Sequence, residues 1–566
     1  MKKKLAALLI TTALSISALA GCGLSKTDES SQNETLSAGS VESTTTQNSE
    51  AASTSQENKE PDKLKIWVSE KLRVMDWETN SMTLWLEEQG NLELEFEVIP
   101  SADYKTKVSM ALTVGDVEEL PDVIIGSFTN SNVWEYAQAE TILPLTDYYN
   151  DPKLAVNIME AFERTSVKYT DLITSPDGNI YGVASFNQSY GNEYPHKMWI
   201  YKPWLDALGE DVPTTTEEYY ELLKKVSQTD LNGNGKADEI GLAGNAKSFH
   251  GYFYYLMNAF VYAGDPTQLK VIEDGVVSTA YTTEEWKAGL KYIHQMFEEG
   301  LILSESLTMD DEQFKTLLNG EEPTVFSYCY LAVNDAGTRK EDYIGIDSLT
   351  GPEGVNYATY RPTTPSVSFL VTANCENPEA AFRLGDLLSS EQIGISQRWG
   401  EEGVNWDYAE NLKDASEYVA GVDGFDLSIV AYDDSAFWGG SEAQNASWMQ
   451  TGPYVRQYAI ANGLASKPEN IDKYKAEANR TSTMYQTSGH NPKEVATVLN
   501  YTSEESDEIV DIENSLLTYV NEFKAGVLSG NIDIDKEWDA YLKEIDKIGL
   551  DAWLEVVQNV YDRMYK

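Results

Sequence analysis

The chain alternates between short apolar runs typical of strands and longer amphipathic periods typical of helices. Residues 64–68 and 120–125 are compact apolar runs, and residues 92–99 alternate apolar with mostly acidic side chains, as a half-buried strand does. Helical spacing separates these runs, at 82–89 and at 104–113. The alternation predicts an α/β fold with a largely parallel sheet.

Later helices are predicted from their opening residues and their period. Thr-Thr-Glu-Glu opens the segment at 283–299, and a proline opens the segment at 378–389; both patterns are typical of first turns. Amphipathic spacing predicts a further helix at 216–226. The acidic segment at 502–512 and the amphipathic stretch at 538–565 predict a helical C-terminus.

The first 21 residues have the organisation of a secretory signal peptide. Lysines at positions 2–4 precede an apolar run, residues 5–20, which is shorter than the ~20 residues that a membrane-spanning helix needs. The run ends in Leu19-Ala20-Gly21-Cys22, which resembles a bacterial lipobox. That resemblance implies cleavage before Cys22 and lipidation of its thiol, so that acyl chains such as palmitate hold the mature protein on the extracellular side of the cell membrane. An ordinary signal peptide with a chance cysteine is the alternative.

Residues 22–61 differ in composition from everything after them. Beyond Cys22 they are mostly Ser, Thr, Gln, Asn and Glu, with no aromatic residue. Such a segment buries too little apolar surface to offset its chain entropy, so we expect a disordered tether. The folded part is predicted to begin near Lys63.

Charge and cysteine content limit the classes of function. The formal charge is −50, which argues against nucleic acid and anionic lipid headgroups as partners and favours neutral or cationic ligands. A role of this charge in solubility is the plainer explanation. Cys329 and Cys375 are interpreted as two buried free thiols, although secretion would permit a disulfide between them. The four histidines show no metal-ligand spacing.

The loop at 230–239 carries the sharpest chemical motif. Side-chain oxygens alternate along it, Gly235 permits a sharp turn at the sixth position, and the pattern is that of the first ligands of an EF-hand calcium loop. Position twelve is Gly241, where an EF-hand has a bidentate glutamate, and Glu239 is the natural replacement. Hard oxygen ligands favour Ca²⁺, and the absence of a second amphipathic helix after the loop favours a fixed structural site. A solvated Asn-Gly turn is the alternative. The predicted ligands are Asp230, Asn232, Asn234, Lys236 (through its carbonyl), Asp238 and Glu239.

Nine blocks, in order along the chain, resemble one protein family. These are Gly115-Asp116 with LPDV at 120–123, ILPLTDY at 142–148, DGNIYG at 177–182, YKPWLD at 201–206 with Leu208-Gly209, PTTTEE at 213–218, DLNGNGKADE at 230–239, EGL at 299–301, NPEAAFR at 377–383 and EGVNW at 402–406. Each is weak alone, but the ordered set spans most of the mature chain. It resembles the extracellular solute-binding proteins of ABC importers, in the large lipoprotein branch for oligosaccharides, whose pattern also includes the calcium-loop positions.

The resemblance implies a two-lobed fold with a ligand cleft between lobes that are joined by hinge crossings. Lobe 1 is expected to combine 62–181 with 336–392, and lobe 2 to combine 182–335 with 393–566. It also implies a monomer without catalytic activity, which captures an oligosaccharide and delivers it to the transmembrane permease subunits of the transporter.

The cleft is expected to be aromatic, because 11% of the residues are Phe, Trp or Tyr and aromatic faces stack on sugar rings. Candidates lie after strands, since ligands in open α/β sheets bind beyond the carboxyl ends of strands. For each aromatic candidate, core packing is the open alternative. Tyr328 and Tyr330 follow a predicted strand at 324–327. The ligand candidates are Ser127, Asn130, Trp134, Asn187, Tyr190, Tyr328, Tyr330, Arg361, Trp399, Glu402, Trp406 and Trp438, with Asp122 as a weaker one.

Two other functions compete with the importer receptor. A secreted glycoside hydrolase would need only two facing carboxylates, but no local motif indicates such a pair, a nucleophile elbow or a metal-binding histidine pair. A surface sensor or adhesin built on the same fold is the other alternative. The sequence does not name the sugar.

The lipobox generates a direct prediction. Cys22→Ser should release the protein from membranes without changing ligand binding, because only the acyl chains tether it. Fractionation of cells that express the variant tests this. Continued membrane retention of a variant whose signal peptide has been removed would contradict lipidation.

Overall fold

The computed structural model describes residues 60–114, 117–245, 251–264, 269–331, 333–432, 435–471, 473–496 and 498–566. Cys22, the signal peptide and the tether lie outside the described residues. The first strand of the described residues, Asp62–Ser69, contains Lys63. None of its helices is both long enough and apolar enough to cross a membrane.

Within the residues that the structure describes, sixteen strands form four sheets. They are β1 Asp62–Ser69, β2 Leu92–Ile99, β3 Val123–Phe128, β4 Val183–Asn187, β5 Lys197–Tyr201, β6 Ile240–Ala243, β7 Val271–Glu273, β8 Val276–Ser278, β9 Val325–Tyr330, β10 Tyr343–Ile346, β11 Ser366–Val371, β12 Trp406–Tyr408, β13 Val419–Ala420, β14 Ile429–Ala431, β15 Val455–Arg456 and β16 Ala465–Ser466.

Helices separate most of these strands. They are α1 Ser81–Gly90, α2 Ser101–Val114, α3 Asn130–Gln138, α4 Thr146–Tyr149, α5 Val156–Thr165, α6 Tyr190–Glu193, α7 Lys202–Leu208, α8 Thr216–Ser227, α9 Tyr252–Met257, α10 Glu284–Glu298, α11 Asp311–Leu318, α12 Pro378–Leu388, α13 Glu391–Trp399, α14 Tyr458–Asn462, α15 Lys473–Thr487, α16 Ser503–Leu528, α17 Ile534–Ile548 and α18 Leu550–Tyr565.

Local sequence accounts for many of the helix boundaries. Thr215 and Glu218 form a reciprocal capping box at the start of α8, and Thr502 and Glu505 form another at the start of α16. The amphipathic stretch at 538–565 is helical, as predicted, and is divided between two helices because Gly549 takes a φ of 118° and ends α17 before α18 begins.

The first sheet has six strands in the order β15-β4-β11-β3-β1-β2. Strand β1 runs parallel to β2 and β3, and β11 is antiparallel to both β3 and β4. Strand β15 is parallel to β4. The carboxyl ends of β1, β3, β4 and β15 therefore share one edge of the sheet, and separate hydrophobic clusters cover its two faces.

The second sheet has four strands in the order β10-β5-β9-β6. Strand β5 is antiparallel to β9 and β10, and β6 is parallel to β9. Strands β6, β9 and β10 therefore end at the edge where β5 begins. The largest hydrophobic cluster packs this sheet against surrounding helices, including the C-terminal helices α16 to α18.

The chain passes between the two sheets three times. It leaves β4 and enters β5 through residues 188–196, leaves β10 and enters β11 through 347–365, and leaves β15 at Arg456 on its way to α15. Strand pairing thus places β4 and β15 in the first sheet and β10 in the second. The expected lobe boundaries near 182, 335 and 392 would instead assign β4 and β15 to lobe 2 and β10 to lobe 1. The crossings join the carboxyl edge of the first sheet to the carboxyl edge of the second.

A buried carboxylate ties the three crossings together. Glu193, in the first crossing, is 2% exposed. Its Oε1 accepts hydrogen bonds from the backbone N–H and the hydroxyl of Thr363, at 3.1 and 2.6 Å, in the second crossing. The hydroxyl of Tyr458, directly after β15, lies 2.6 and 2.7 Å from the two carboxylate oxygens. We call Glu193, Thr363 and Tyr458 the crossing network.

The crossing network titrates as a buried acid. Burial raises the pKa of Glu193, and the hydrogen bonds from Thr363 and Tyr458 lower it in part. The folded protein therefore holds this proton more tightly than the unfolded chain does. Ionisation of Glu193 lowers the free energy of unfolding as pH rises above the ordinary glutamate value of 4.5.

Tyr458→Phe should lower the free energy of unfolding by about 1–3 kcal/mol, because it leaves a buried carboxylate without one of its donors. The loss should grow as pH rises through the raised pKa of Glu193. Denaturant unfolding at several pH values measures both effects. Tyr190→Phe is the matched control, since that ring packs 4.3 Å from Tyr458 but its hydroxyl does not bond Glu193. Equal losses in the two variants would contradict a role for the crossing network.

Candidate ligand-binding cleft and cation loop

The position of the candidate cleft follows from where the strands of the two sheets end. Because each crossing joins the carboxyl edge of one sheet to that of the other, these two edges face the same region. Side chains at the ends of β1, β3, β4 and β15 reach it from the first sheet, and those at the ends of β6, β9 and β10 reach it from the second. This is the position in which open α/β sheets bind ligands.

Trp438 is presented at this edge with its ring 41% exposed. Arg73, four residues after β1, holds its loop: the guanidinium donates to the carbonyls of Trp438 and Glu442 at 2.7 Å and of Phe437 at 3.1 Å. The Trp438 N–H donates to the carbonyl of Arg398 at 2.9 Å. A large aromatic face is thus fixed by its backbone and open to solvent, as a stacking platform requires.

Two arginines lie near this loop, one beside the Trp438 ring and one beside Trp399, and sequence reasoning missed both. The Arg398 guanidinium, in the last turn of α13, is 5.2 Å from the ring centres of Phe437 and Trp438 and 5.4 Å from Trp399. Burial lowers the pKa of Arg398 to about 10. The available signal was the Arg-Trp pair at 398–399, of which only the tryptophan was selected.

Arg456 is the second arginine, at the end of β15 and 3% exposed. Its guanidinium donates to Asn187 Oδ1 at 3.0 Å, to the Gly394 carbonyl at 3.1 Å and to Gln450 Oε1, all of them neutral acceptors. Burial, and to a lesser extent repulsion from Arg398, lower the pKa of Arg456 to about 9. Asn187, a predicted ligand residue, is therefore occupied by this arginine.

Candidates after β3 are divided between surface and internal contacts. Ser127 is exposed within β3. The Asn130 amide donates to the Leu172 carbonyl at 2.9 Å and to Asn500 Oδ1 at 2.7 Å. Trp134 is half-buried, and its indole Nε1 is buried without a hydrogen-bond partner.

Asp122 lies at the other edge of the first sheet. It precedes β3, and its carboxylate accepts from the Lys65 N–H at 2.8 Å. This position takes it away from the strand carboxyl ends.

Candidates near the crossings pack around the crossing network. Tyr190 opens α6, and its ring lies 4.3 Å from that of Tyr458. Arg361 donates its backbone N–H to the Glu193 carbonyl at 2.9 Å. Tyr330, the last residue of β9, is half-buried, and its carbonyl accepts from the Trp199 indole at 3.0 Å.

Three predicted aromatic ligands are core residues. Tyr328 lies inside β9, which extends past the predicted strand end, and its ring packs at 5.0 Å from Tyr343. Trp406 is fully buried and donates its indole N–H to the Gly400 carbonyl at 2.9 Å. Trp399 is 5% exposed, in the cluster between α13 and the β12–β14 strands. These rings present no open face, because each is buried in a hydrophobic cluster.

Glu402 is half-buried and lines a small pocket with Trp85 of α1 and Ser396 of α13. Burial and the nearby charge of Asp407 raise the pKa of Glu402.

Cys329 and Cys375 are buried free thiols, as the sequence predicted.

The loop at 230–239 is folded around its own side-chain oxygens. Asp230 Oδ2 accepts from the Gly235 N–H at 2.9 Å, and Asn232 Oδ1 accepts from the Asn234 N–H at 3.0 Å. Gly235 has a φ of 86°, which gives the predicted sharp turn. The Asn234 amide donates to Asp238 Oδ1 at 3.0 Å.

Glu239 closes the loop from inside and is buried. Its Oε1 accepts from the backbone N–H groups of Leu231, at 2.6 Å, and of Asn232, at 2.8 Å. Its Oε2 is buried without any partner, and an orphaned carboxylate oxygen fits a cation ligand. Across the described ranges, no group of three or more His, Cys, Asp or Glu side chains is arranged to hold a metal, so the donor set depends on amide and backbone oxygens as well.

Comparison with known proteins identifies relatives of this chain. No family model matches the chain. The fructooligosaccharide ABC transporter substrate-binding protein FusA of Streptococcus pneumoniae is 26% identical over 491 residues, covering 84% of this chain and 86% of FusA. The chain is a homologue of ABC-transporter substrate-binding proteins. Lipoprotein LipO of Bacillus subtilis is 24% identical over 348 residues, 58% of this chain and 64% of LipO.

Solved structures agree on the fold. A solute-binding protein from Bifidobacterium longum infantis, described as HMO-binding and associated with an ABC transporter, aligns with a TM-score of 0.72 at 23% identity, over 89% of this chain and 99% of that one. FusA in complex with kestose aligns with a TM-score of 0.63 at 22% identity, over 89% and 99%. The expected two-lobed α/β fold of a substrate-binding protein is confirmed.

The two tryptophans of the cleft wall should respond differently to truncation. Trp399→Ala should lower the free energy of unfolding by about 3–5 kcal/mol, because it empties a core position. Trp438→Ala should change it by no more than about 0.5 kcal/mol, because the ring is partly exposed and its loop is held by backbone carbonyls. Denaturant unfolding of both variants tests the assignment, and a large loss in Trp438→Ala would place that ring in the core.

Proposed function

We propose that the protein is the lipid-anchored extracellular receptor of an ABC transporter, and that it captures an oligosaccharide and delivers it to the permease subunits. The observation that carries the proposal is Trp438, an exposed aromatic face fixed by Arg73 at the carboxyl edge of the first sheet, beside the crossings. Aromatic faces of this kind stack on sugar rings. The names of the relatives support a carbohydrate, since FusA is named for fructooligosaccharide.

Capture follows from the crossings. A sugar that touches side chains at both carboxyl edges binds the closed arrangement better than the open one and shifts the population towards it. The crossings absorb the dihedral change, as hinges do. A first lobe built on the six-stranded sheet and a second built on the four-stranded sheet would then move as bodies, and the permease would recognise the loaded protein by its closed shape.

Anchoring is proposed from Cys22 and the segments around it. Cleavage after residue 21 would leave a lipidated cysteine, and residues 22–61 would hold the folded part away from the membrane. The relative LipO is named a lipoprotein, which supports this arrangement.

A structural Ca²⁺ is proposed for the loop at 230–239. Asp230, Asn232, Asn234 and Asp238 would supply side-chain oxygens, Lys236 its carbonyl, and Glu239 its orphaned Oε2. When bound, the ion would fix the loop after α8 by neutralising its carboxylates. A solved structure of the homologue FusA is described as an EF-hand mutant, with a TM-score of 0.61 at 22% identity.

An oligosaccharide panel tests the function. A correct ligand should raise the melting temperature, because it binds the folded state alone, and should reduce the radius of gyration by closing the cleft. Trp438→Ala should weaken binding by ~1–3 kcal/mol, by analogy with base–aromatic stacking. Scattering curves that superimpose with and without a saturating ligand would contradict closure, and release of shortened sugars would indicate a hydrolase instead.

Chelation tests the ion. Removing Ca²⁺ should lower the melting temperature of the wild-type protein, because the loop oxygens would then repel one another. Asp230→Ala should abolish this sensitivity to the chelator, whereas Glu221→Ala, an exposed acid on the neighbouring helix α8, should retain it. Metal analysis of the pure protein that finds no calcium would end the proposal.

A further inference from the structure

The geometry points to an acidic oligosaccharide as the ligand, with a sugar carboxylate bound by Arg398 while an adjoining ring stacks on Trp438. This inference rests on the proposed function and narrows it from oligosaccharides in general to those that carry uronate-type carboxylates.

The first argument is that Arg398 has no counter-charge among the residues that the structure describes. Its guanidinium makes no ion pair and no side-chain hydrogen bond with any described residue, and its neighbours are the rings of Trp399, Phe437 and Trp438. The chain has 92 acidic residues against 42 Lys and Arg, so carboxylates are abundant. Other arginines of the chain form ion pairs with carboxylates: Arg383 pairs with Asp62 at 2.6 Å, and Arg563 pairs with Glu505 at 2.6 Å.

The second argument is that Arg456 adds to the same positive region. It is almost fully buried, and only neutral acceptors bond it. A buried cation is costly when no anion neutralises it. Both guanidinium groups lie within 6 Å of the Trp399 ring, at 5.4 Å for Arg398 and 5.9 Å for Arg456, so an anion bound beside them would relieve two cations. An incoming carboxylate would gain from both, by direct pairing with Arg398 and through the field of Arg456.

The third argument is geometric fit. A planar guanidinium matches a carboxylate through two parallel N–H···O bonds. Arg398 still has its donors available for such a fork, whereas those of Arg456 are engaged. The Trp438 N–H bonds the Arg398 carbonyl at 2.9 Å, so the platform and the cation are held to each other. A ring on Trp438 therefore places a neighbouring carboxylate near Arg398.

Arg398 could instead serve only as a spacer between three aromatic rings, through cation–π contacts. In that case its loss would affect folding and neutral sugars as much as acidic ones. The two roles differ in which sugars they discriminate, so binding selectivity separates them.

The experiment uses the full mature protein and isothermal titration with matched probes. The acidic probes are trimers to pentamers of galacturonate, of mannuronate and of glucuronate-containing hyaluronan. The neutral probes are the methyl esters of the same oligomers, together with kestose. The variants are Arg398→Gln, Arg398→Lys and Arg480→Gln, the last being a control arginine that pairs with Glu477 on α15.

We expect at least one acidic oligomer to bind the wild type tenfold or more tightly than its methyl ester does. Arg398→Gln should lose 10- to 100-fold for the acid and less than threefold for the ester, Arg398→Lys should fall between, and Arg480→Gln should match the wild type. Added salt should weaken the acidic ligand alone. Melting curves of Arg398→Gln show whether it is folded, and if it is not, the preference of the wild type for acid over ester decides the question.

Several results would overturn the inference. Tight binding of neutral sugars with no preference for acids would leave the proposed function standing and remove the acidic ligand. Equal losses of acid and ester in a folded Arg398→Gln would assign Arg398 to packing. Binding of no oligosaccharide of either class would count against the proposed function itself.

Discussion

The arrangement of the cleft depends on one buried carboxylate. Glu193 comes from the first crossing, and its oxygens are held by Thr363 of the second crossing and Tyr458 of the third. None of the described Lys, Arg or His side chains pairs with it, so neutral donors hold the carboxylate, and burial raises its pKa. Any change in the relative position of the two sheets must keep these donors in place or expose the carboxylate. In the proposed closure, the lobes would therefore rotate about the crossing network without separating from it.

That constraint explains how residues far apart in sequence build one wall. Arg73 follows β1, yet it holds carbonyls at positions 437–442, and Arg456 at the end of β15 bonds Asn187 at the end of β4. Each contact joins strand ends that the sheet order has already brought to one edge. Because the crossings leave from the same edge, these contacts lie next to the crossings.

The sequence predicted what local pattern determines. Alternation and capping placed α1, α8, α10 and α12 within one or two residues of their ends, since caps such as Thr215 with Glu218 act over four residues. The turn at Gly235 was found for the same reason. Strand β15 is only two residues long and is defined by its partner β4, so no local signal reveals it, and the lobe boundaries drawn from sequence missed it.

The candidate site was only partly predictable, because aromatic composition does not distinguish a core ring from a cleft ring. Trp438 and Trp406 look alike in sequence, but one is held by carbonyl contacts to Arg73 and the other fills a cluster. Glu239 was selected as a ligand by position, while its burial and orphaned oxygen follow from how the loop closes. Arg398 was missed because a single arginine forms no recognisable sequence motif. What distinguishes it is that no described residue pairs with its guanidinium, and only the structure shows this.

The net charge and the cleft charge lead to opposite expectations, and distance decides between them. A formal charge of −50 argues against anionic ligands, but it acts over the whole surface and is screened beyond a Debye length of ~8 Å in physiological salt. Arg398 and Arg456 act at contact range, where burial weakens screening and a forked hydrogen bond adds to attraction. For an acidic sugar, the surface charge would therefore lower the rate of approach, while the arginine pair would hold the bound carboxylate. The composition determines the surface charge. Only the fold, which brings α13 beside β15, places the two arginines together.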